Sequence, residues 1–262
     1  MDKDGPLCAE QMLYAACFRV MAEISEQLGK DGNVYRQEYE KLTAAIEKFF
    51  WDEEKGAYID SFTSGKRNVT RHANIFAILF DIADKQKQEK ILTNVLENDE
   101  IPAITTPYFN FFELDVLCQM GKLTEVLDKI RSYWGGMLDL GAVTFWEEYD
   151  PSVPKEEQYD MYGDHFGKSL CHAWAASPIY FLAKYFAGLD LVNKDGVTYV
   201  LKPHMQYFTD LDCTLPVGSH GTVRLIWDGE YLDVTPDADG GVLELGETKF
   251  SLVRGETRRV RI

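Results

Sequence analysis

The sequence predicts a mainly α-helical chain of paired helices that ends in a small antiparallel β domain. Three observations lead there. Helical stretches that are apolar almost all round alternate with stretches carrying a single apolar stripe, which is the pattern of buried helices covered by outer ones. Short connections near Gly29, Asp84 and Gly121 alternate with long ones over roughly 51–70 and 135–167. Beyond about residue 195 the texture changes to alternating segments such as Thr198–Lys202, Thr222–Ile226 and Tyr231–Val234, separated by Gly, Pro, Asp and Asn.

The stretch 7–28 is expected to be an inner helix, with Leu13, Cys17, Val20, Met21, Ile24 and Leu28 on one face, alanines elsewhere and a stop at Gly29. The stretch 33–50 sets Tyr35, Tyr39, Leu42, Ile46 and Phe49 against a charged face and reads as its outer partner. The alternation repeats. Inner helices are expected over 71–83, 107–120 and 168–187, and outer helices over 86–97 and 122–134. The long returns share one rim, where sites are usually built. The expected domains are 1–192, helical, and 193–262, β.

Composition narrows the partners. The 262 residues are 45% hydrophobic, enough for a sizeable core. A net charge of −16 gives the wrong sign for attraction to nucleic acid or an anionic membrane. Five scattered cysteines lack metal-type spacing and a disulfide framework, and Cys17 and Cys118 sit on apolar stretches as small hydrophobes. No basic-then-apolar leader opens the chain, and no apolar run reaches the roughly 20 residues that span a bilayer. A soluble protein is expected, of undetermined compartment.

The residues suited to chemistry gather in the long loop and after it. Gly141 to Asp150 sets Glu147 and Glu148 beside Phe145, Trp146 and Tyr149. Aromatic faces stack on sugar rings while a carboxylate binds hydroxyls or activates water, so this combination suits a carbohydrate. On an extended loop neighbouring side chains face opposite ways, so only one of the two glutamates points into a site. His172 and Trp174 are expected to open the last inner helix. His72 with Asn74, and Tyr108 with Asn110, begin two other inner helices in the same manner.

Three runs carry a resemblance: Tyr133-Trp134 through Thr144-Phe145-Trp146-Glu147, Ser169-Leu-Cys-His172-Ala-Trp174-Ala-Ala-Ser-Pro178, and Gly196-Val-Thr-Tyr-Val-Leu-Lys-Pro203. They resemble the bacterial α-L-rhamnosidases of glycoside hydrolase family 78, and the Cys171-His172-Ala173-Trp174 order is that of a divergent member. The resemblance implies an (α/α)6 toroid of helical hairpins, of which this chain holds about half, followed by a C-terminal β-sandwich. It also implies an inverting hydrolase without cofactor or metal. Carried over by motif, Glu147 is the general base and His172 contacts the sugar. The family's acid motif has no counterpart here, so the general acid is expected to be missing and the piece alone inactive. Trp146, Trp174, Glu148, Tyr108 and His72 complete the expected substrate-binding set. The expected partner is a rhamnose-containing glycoside, oligosaccharide or polysaccharide, and the apolar flank of half a toroid predicts a homodimer. Two other readings stay open: a non-catalytic carbohydrate-binding or structural helical domain, and another inverting six-hairpin glycosidase.

Overall fold

The computed structural model describes residues 1–194, 197–219 and 221–262; Gly196 lies outside them. Two compact units result, Met1–Met120 with Glu148–Val153, and Gly121–Glu147 with Pro154–Ile262.

In the first unit the helices are α1 (Cys8–Gln27), α2 (Asn33–Phe50), α3 (Arg71–Leu79), α4 (Lys85–Ile91, prolonged by a π-type turn Leu92–Leu96) and α5 (Pro107–Gln119). A two-stranded ribbon, β1 (Trp51–Asp52) and β2 (Ala57–Tyr58), follows α2. Helices α1, α3 and α5 pack in succession, while α2 covers α1 and α4 packs on α3. These are the inner and outer kinds that the apolar patterns predict.

The interior helices are buried nearly all round. In α3 the run Ala73–Ile78 is closed off from solvent, each large apolar side chain contributing about 1.5–3 kcal/mol. Pro107 opens α5, where its missing N–H costs nothing, and α5 buries Leu114, Val116, Leu117 and Cys118. The ion pair Arg71–Glu113, at 3.0 Å with both side chains almost wholly buried, joins α3 to α5. Arg71 also donates to the carbonyl oxygen of Leu96 at 2.9 Å, satisfying the end of α4. Asn74 accepts from the Tyr58 amide and donates to the carbonyls of Tyr58 and Thr70, each at 2.9 Å. Asn110 donates to the Ile104 carbonyl at 3.2 Å. Both asparagines therefore hold loop backbone rather than pointing polar groups at a rim.

Helix α1 departs from expectation. It buries Cys8 and Met12 with the small residues Ala15, Ala16, Ala22 and Ser25, while the stripe Leu13, Val20, Met21 and Ile24, with Leu28 just past its end, is exposed together with Cys17. Small side chains let α2 and α3 approach closely, so the apolar stripe is left facing outward as an uncovered flank.

In the second unit, α6 (Leu123–Lys129) runs through a π-type turn (Ile130–Trp134) into α7 (Gly135–Asp139), and α8 (Ser177–Phe181) continues through another (Leu182–Phe186). The inner helix expected from 168 starts only at Ser177, because Pro178 occupies its first turn and the preceding residues pair elsewhere.

The strands β3 (Leu189–Lys194), β4 (Val197–Leu201), β5 (Leu211–Pro216), β6 (Thr222–Trp227), β7 (Tyr231–Pro236), β8 (Gly241–Leu245), β9 (Thr248–Leu252) and β10 (Arg258–Arg261) complete this unit. Among the described residues they form two four-stranded sheets, ordered β10-β7-β6-β5 and β3-β4-β8-β9. Residues of both sheets, among them Tyr199, Leu201 and Leu243 with Leu225, Leu232 and Val234, share one core, which makes the domain a sandwich. Pairing is antiparallel except between β4 and β8, whose connection passes through the other sheet and so permits the parallel sense. Phe186 closes the core against Tyr207 and Phe208.

Replacing Glu113 by Ala leaves the Arg71 guanidinium buried without its counter-charge. We expect a loss of about 3–5 kcal/mol in unfolding free energy by urea denaturation, and a loss below 1 kcal/mol contradicts this role for the pair.

Candidate active site

The second unit carries a site built on two facing loop segments. Helix α7 ends at Gly141, whose φ of +90° suits glycine alone. The amides of Gly141 and Ala142 donate back to the Leu138 and Met137 carbonyls at 2.8 and 3.0 Å and close the helix. The chain then runs extended past residues 169–172 in the opposite direction. His172 N–H donates to the Phe145 carbonyl at 2.8 Å, and Glu147 N–H to the Ser169 carbonyl at 2.9 Å. The Thr144 hydroxyl bonds the Leu170 carbonyl between them. Trp134 Nε1–H donates to the Ala175 carbonyl at 2.9 Å and fixes the single 3-10 turn Ala173–Ala175 that follows His172.

This pairing brings the motif residues together. Glu147 is only 7% exposed, which for a carboxylate demands partners. The Tyr162 hydroxyl donates to its Oε1 at 2.8 Å, and the Ser169 amide donates to its Oε2 at 3.2 Å. His172 Nδ1 lies 3.9 Å from Oε2, and the His172 ring sits 4.4 Å from that of Trp174, which is exposed. Trp146 is buried with its ring 5.7 Å from Tyr159, so the indole that faces solvent here is Trp174. An apolar cavity of about 240 Å³ opens beside the same segment, lined by Trp134, Met137, Leu138, Ala142, Val143, Thr144 and Phe145. A buried carboxylate with hydrogen-bonded oxygens, an imidazole and an open aromatic face is an arrangement that can bind polyhydroxy compounds and accept a proton from water.

Residues 2–186 match the family described as bacterial alpha-L-rhamnosidase 6 hairpin glycosidase domain. The chain belongs to that family. Among solved structures, the rhamnosidase from Klebsiella oxytoca with rhamnose bound is 30% identical with a TM-score of 0.59, over 68% of this chain and 34% of that one. A family 78 rhamnosidase of Bacillus sp. GL1 shares the fold more widely, with a TM-score of 0.76 at 21% identity over 92% of this chain and 26% of its own. The alpha-L-rhamnosidase of Streptomyces avermitilis complexed with L-rhamnose gives 0.65 at 17% identity, over 89% and 22%. This chain therefore spans about a third or less of the length of the rhamnosidase structures it matches. No curated protein matches it.

Three of the expected site residues of this rhamnosidase-family chain belong to the first unit. Glu148 is partly buried and opens the segment Glu148–Val153. Tyr108 is exposed, its ring edge-on to Phe112 at 5.6 Å. His72 lies 4.3 Å from the Phe109 ring, and its Nδ1 is buried without a hydrogen-bond partner among the described residues. Burial pushes its imidazole below the ordinary range.

Two residues of the site were not expected from the sequence, Tyr162 and Ser169. The signal for Tyr162 is the Tyr-Gly pair at a tight turn: Met161 and Asp164 exchange N–H···O bonds of 2.9 Å, and Tyr162 and Gly163 both have positive φ, +55° and +82°. Gly167 lies against the Met161 carbonyl, where a Cβ has no room.

Gly167→Ala therefore forces the turn off its seat. We expect a loss of about 1–3 kcal/mol and faster proteolytic cleavage near 160–168, read by thermal unfolding and limited proteolysis; wild-type resistance would count against the packing described. For His72, a depressed native pKa means that the unfolded chain takes up the proton first. The stability it contributes is fully present above the ordinary imidazole value of 6.5 and lost as pH falls below it. His72→Phe should lose less stability than wild type between about pH 7 and pH 5, and parallel curves contradict the burial cause.

Proposed function

We propose that this chain carries the water-activating half of an α-L-rhamnoside-cleaving site, with Glu147 as the general base of an inverting hydrolysis. Support comes from the buried Glu147 carboxylate, held through both oxygens, beside His172 and the open face of Trp174. A base of this kind takes a proton from water as the water oxygen attacks the anomeric carbon on the face opposite the leaving group. A second carboxyl, in its acid form, protonates the departing oxygen from across the sugar, roughly 6.5–9.5 Å away so that water fits between. We assign that acid to residues outside this chain.

His172 and Trp174 are the proposed sugar contacts, the imidazole for hydroxyls and the indole for the apolar face of the ring; Trp146, expected as a further contact, is buried against Tyr159. His72, Tyr108 and Glu148 are kept as further proposed contacts from the first unit, and a boundary near residue 192 as the proposed division between helical and β parts. The Klebsiella and Streptomyces relatives, whose structures hold rhamnose, support a rhamnosyl group as the proposed substrate.

The reading predicts binding without turnover. L-Rhamnose should bind this chain in a calorimetric or NMR titration, and Trp174→Ala should weaken it about tenfold. No release of nitrophenol from an aryl α-L-rhamnoside should exceed the rate given by Glu147→Gln. Absent rhamnose binding sinks the reading; turnover that survives Glu147→Gln moves the base elsewhere.

A further inference from the structure

We propose that Tyr162 is the positioning residue of Glu147, its phenol hydroxyl clamping Oε1 so that the carboxylate receives water along its Oε2 edge, beside His172. The inference deepens the function proposed above and rests on Glu147 being its general base.

The backbone argues that Tyr162 is held in place for a reason. Its φ of +55° is the left-handed region, which a bulky residue enters only when surrounding contacts over-determine it. Asn or Gly is the ordinary choice at the first central position of such a two-residue turn. Tyr162 is 80% exposed, so no apolar burial of its ring explains the choice. Its hydroxyl, however, reaches the buried Glu147 and bonds Oε1 at 2.8 Å. The turn is in turn fixed by the mutual Met161–Asp164 bonds, by Gly167 against the Met161 carbonyl, and by the Lys168 amide donating to the Tyr159 carbonyl at 3.1 Å.

The opposite oxygen is fixed independently, by the Ser169 amide at 3.2 Å. A carboxylate bonded through each oxygen cannot rotate about its terminal torsion without losing both bonds. His172 also faces the carboxylate, with Nδ1 3.9 Å from Oε2. Tyr162 thus acts through Glu147, by fixing the direction in which its carboxylate points.

The test uses the whole chain labelled with ¹⁵N, with hydrogen–deuterium exchange of the Ser169 amide as reporter, because that amide is protected by its bond to Oε2. The Met161 and Asp164 amides, which bond across the turn, report the turn itself. Tyr162→Phe frees Oε1 and should speed Ser169 exchange about tenfold, the worth of a hydrogen bond to a charged acceptor, with Met161 and Asp164 exchange unchanged. Tyr162→Asn, which suits the left-handed turn but lacks the phenol, should give the same increase. An unmoved Ser169 rate in either variant, or one that rises only together with Met161 and Asp164, overturns the proposal. Rhamnose titration of the wild type reads the proposed function separately: failed binding alongside faster Ser169 exchange leaves the Tyr162 clamp standing and removes its catalytic meaning.

Discussion

The candidate site depends on one constraint, the short ladder that ties Phe145 and Glu147 to His172 and Ser169. Two backbone hydrogen bonds, His172 to Phe145 and Glu147 to Ser169, bring the two motifs face to face across more than twenty intervening residues. Once that register is set, every later placement follows from chain geometry. The Glu147 carboxylate comes under the Ser169 amide, the His172 ring comes beside it, and Trp174 is carried along by the 3-10 turn that Trp134 secures. A slip of one residue inverts the side chains and removes the carboxylate from its donors.

In the first unit the equivalent organising element is buried charge. Arg71 and Glu113 meet inside the packed inner helices, and the same guanidinium donates to the Leu96 carbonyl at a helix end. Such a pair adds little to stability compared with an apolar contact of the same volume, yet it penalises any arrangement that separates the partners. It therefore acts on which helices become neighbours more than on how tightly they pack. The outward apolar stripe of α1 shows the converse: here the alanines determine the contact, because close approach of backbones is worth more to α2 and α3 than a thicker apolar layer.

Membership of the rhamnosidase family and the shared fold make the helical hairpins and the sandwich a framework for loops. The loops carry the candidate site. A tyrosine at positive φ and a glycine seated on a carbonyl shape the 160–168 turn, and neither contributes to the helical core. On the role proposed for Tyr162, the strained backbone of this turn serves to aim a side chain rather than to bury one.

The sequence alone determined the alternation of inner and outer helices, the change to β structure, and the pair of motifs around Glu147 and His172. These follow from local periodicity and from residue types whose chemistry is independent of context. Tertiary structure decided the rest. That α1 buries its alanines, that the last helix waits until Ser177, that Asn74 and Asn110 serve backbone, and that Trp146 is covered while Trp174 is open all depend on neighbours distant in sequence. Periodicity reports that a face is apolar but not which partner reaches it first. The Tyr162-Gly163 pair signals a turn, but neither Tyr162 nor Ser169 could be assigned to the site for the same reason: what places them there is a hydrogen bond to Glu147, and that bond exists only after the loop has closed.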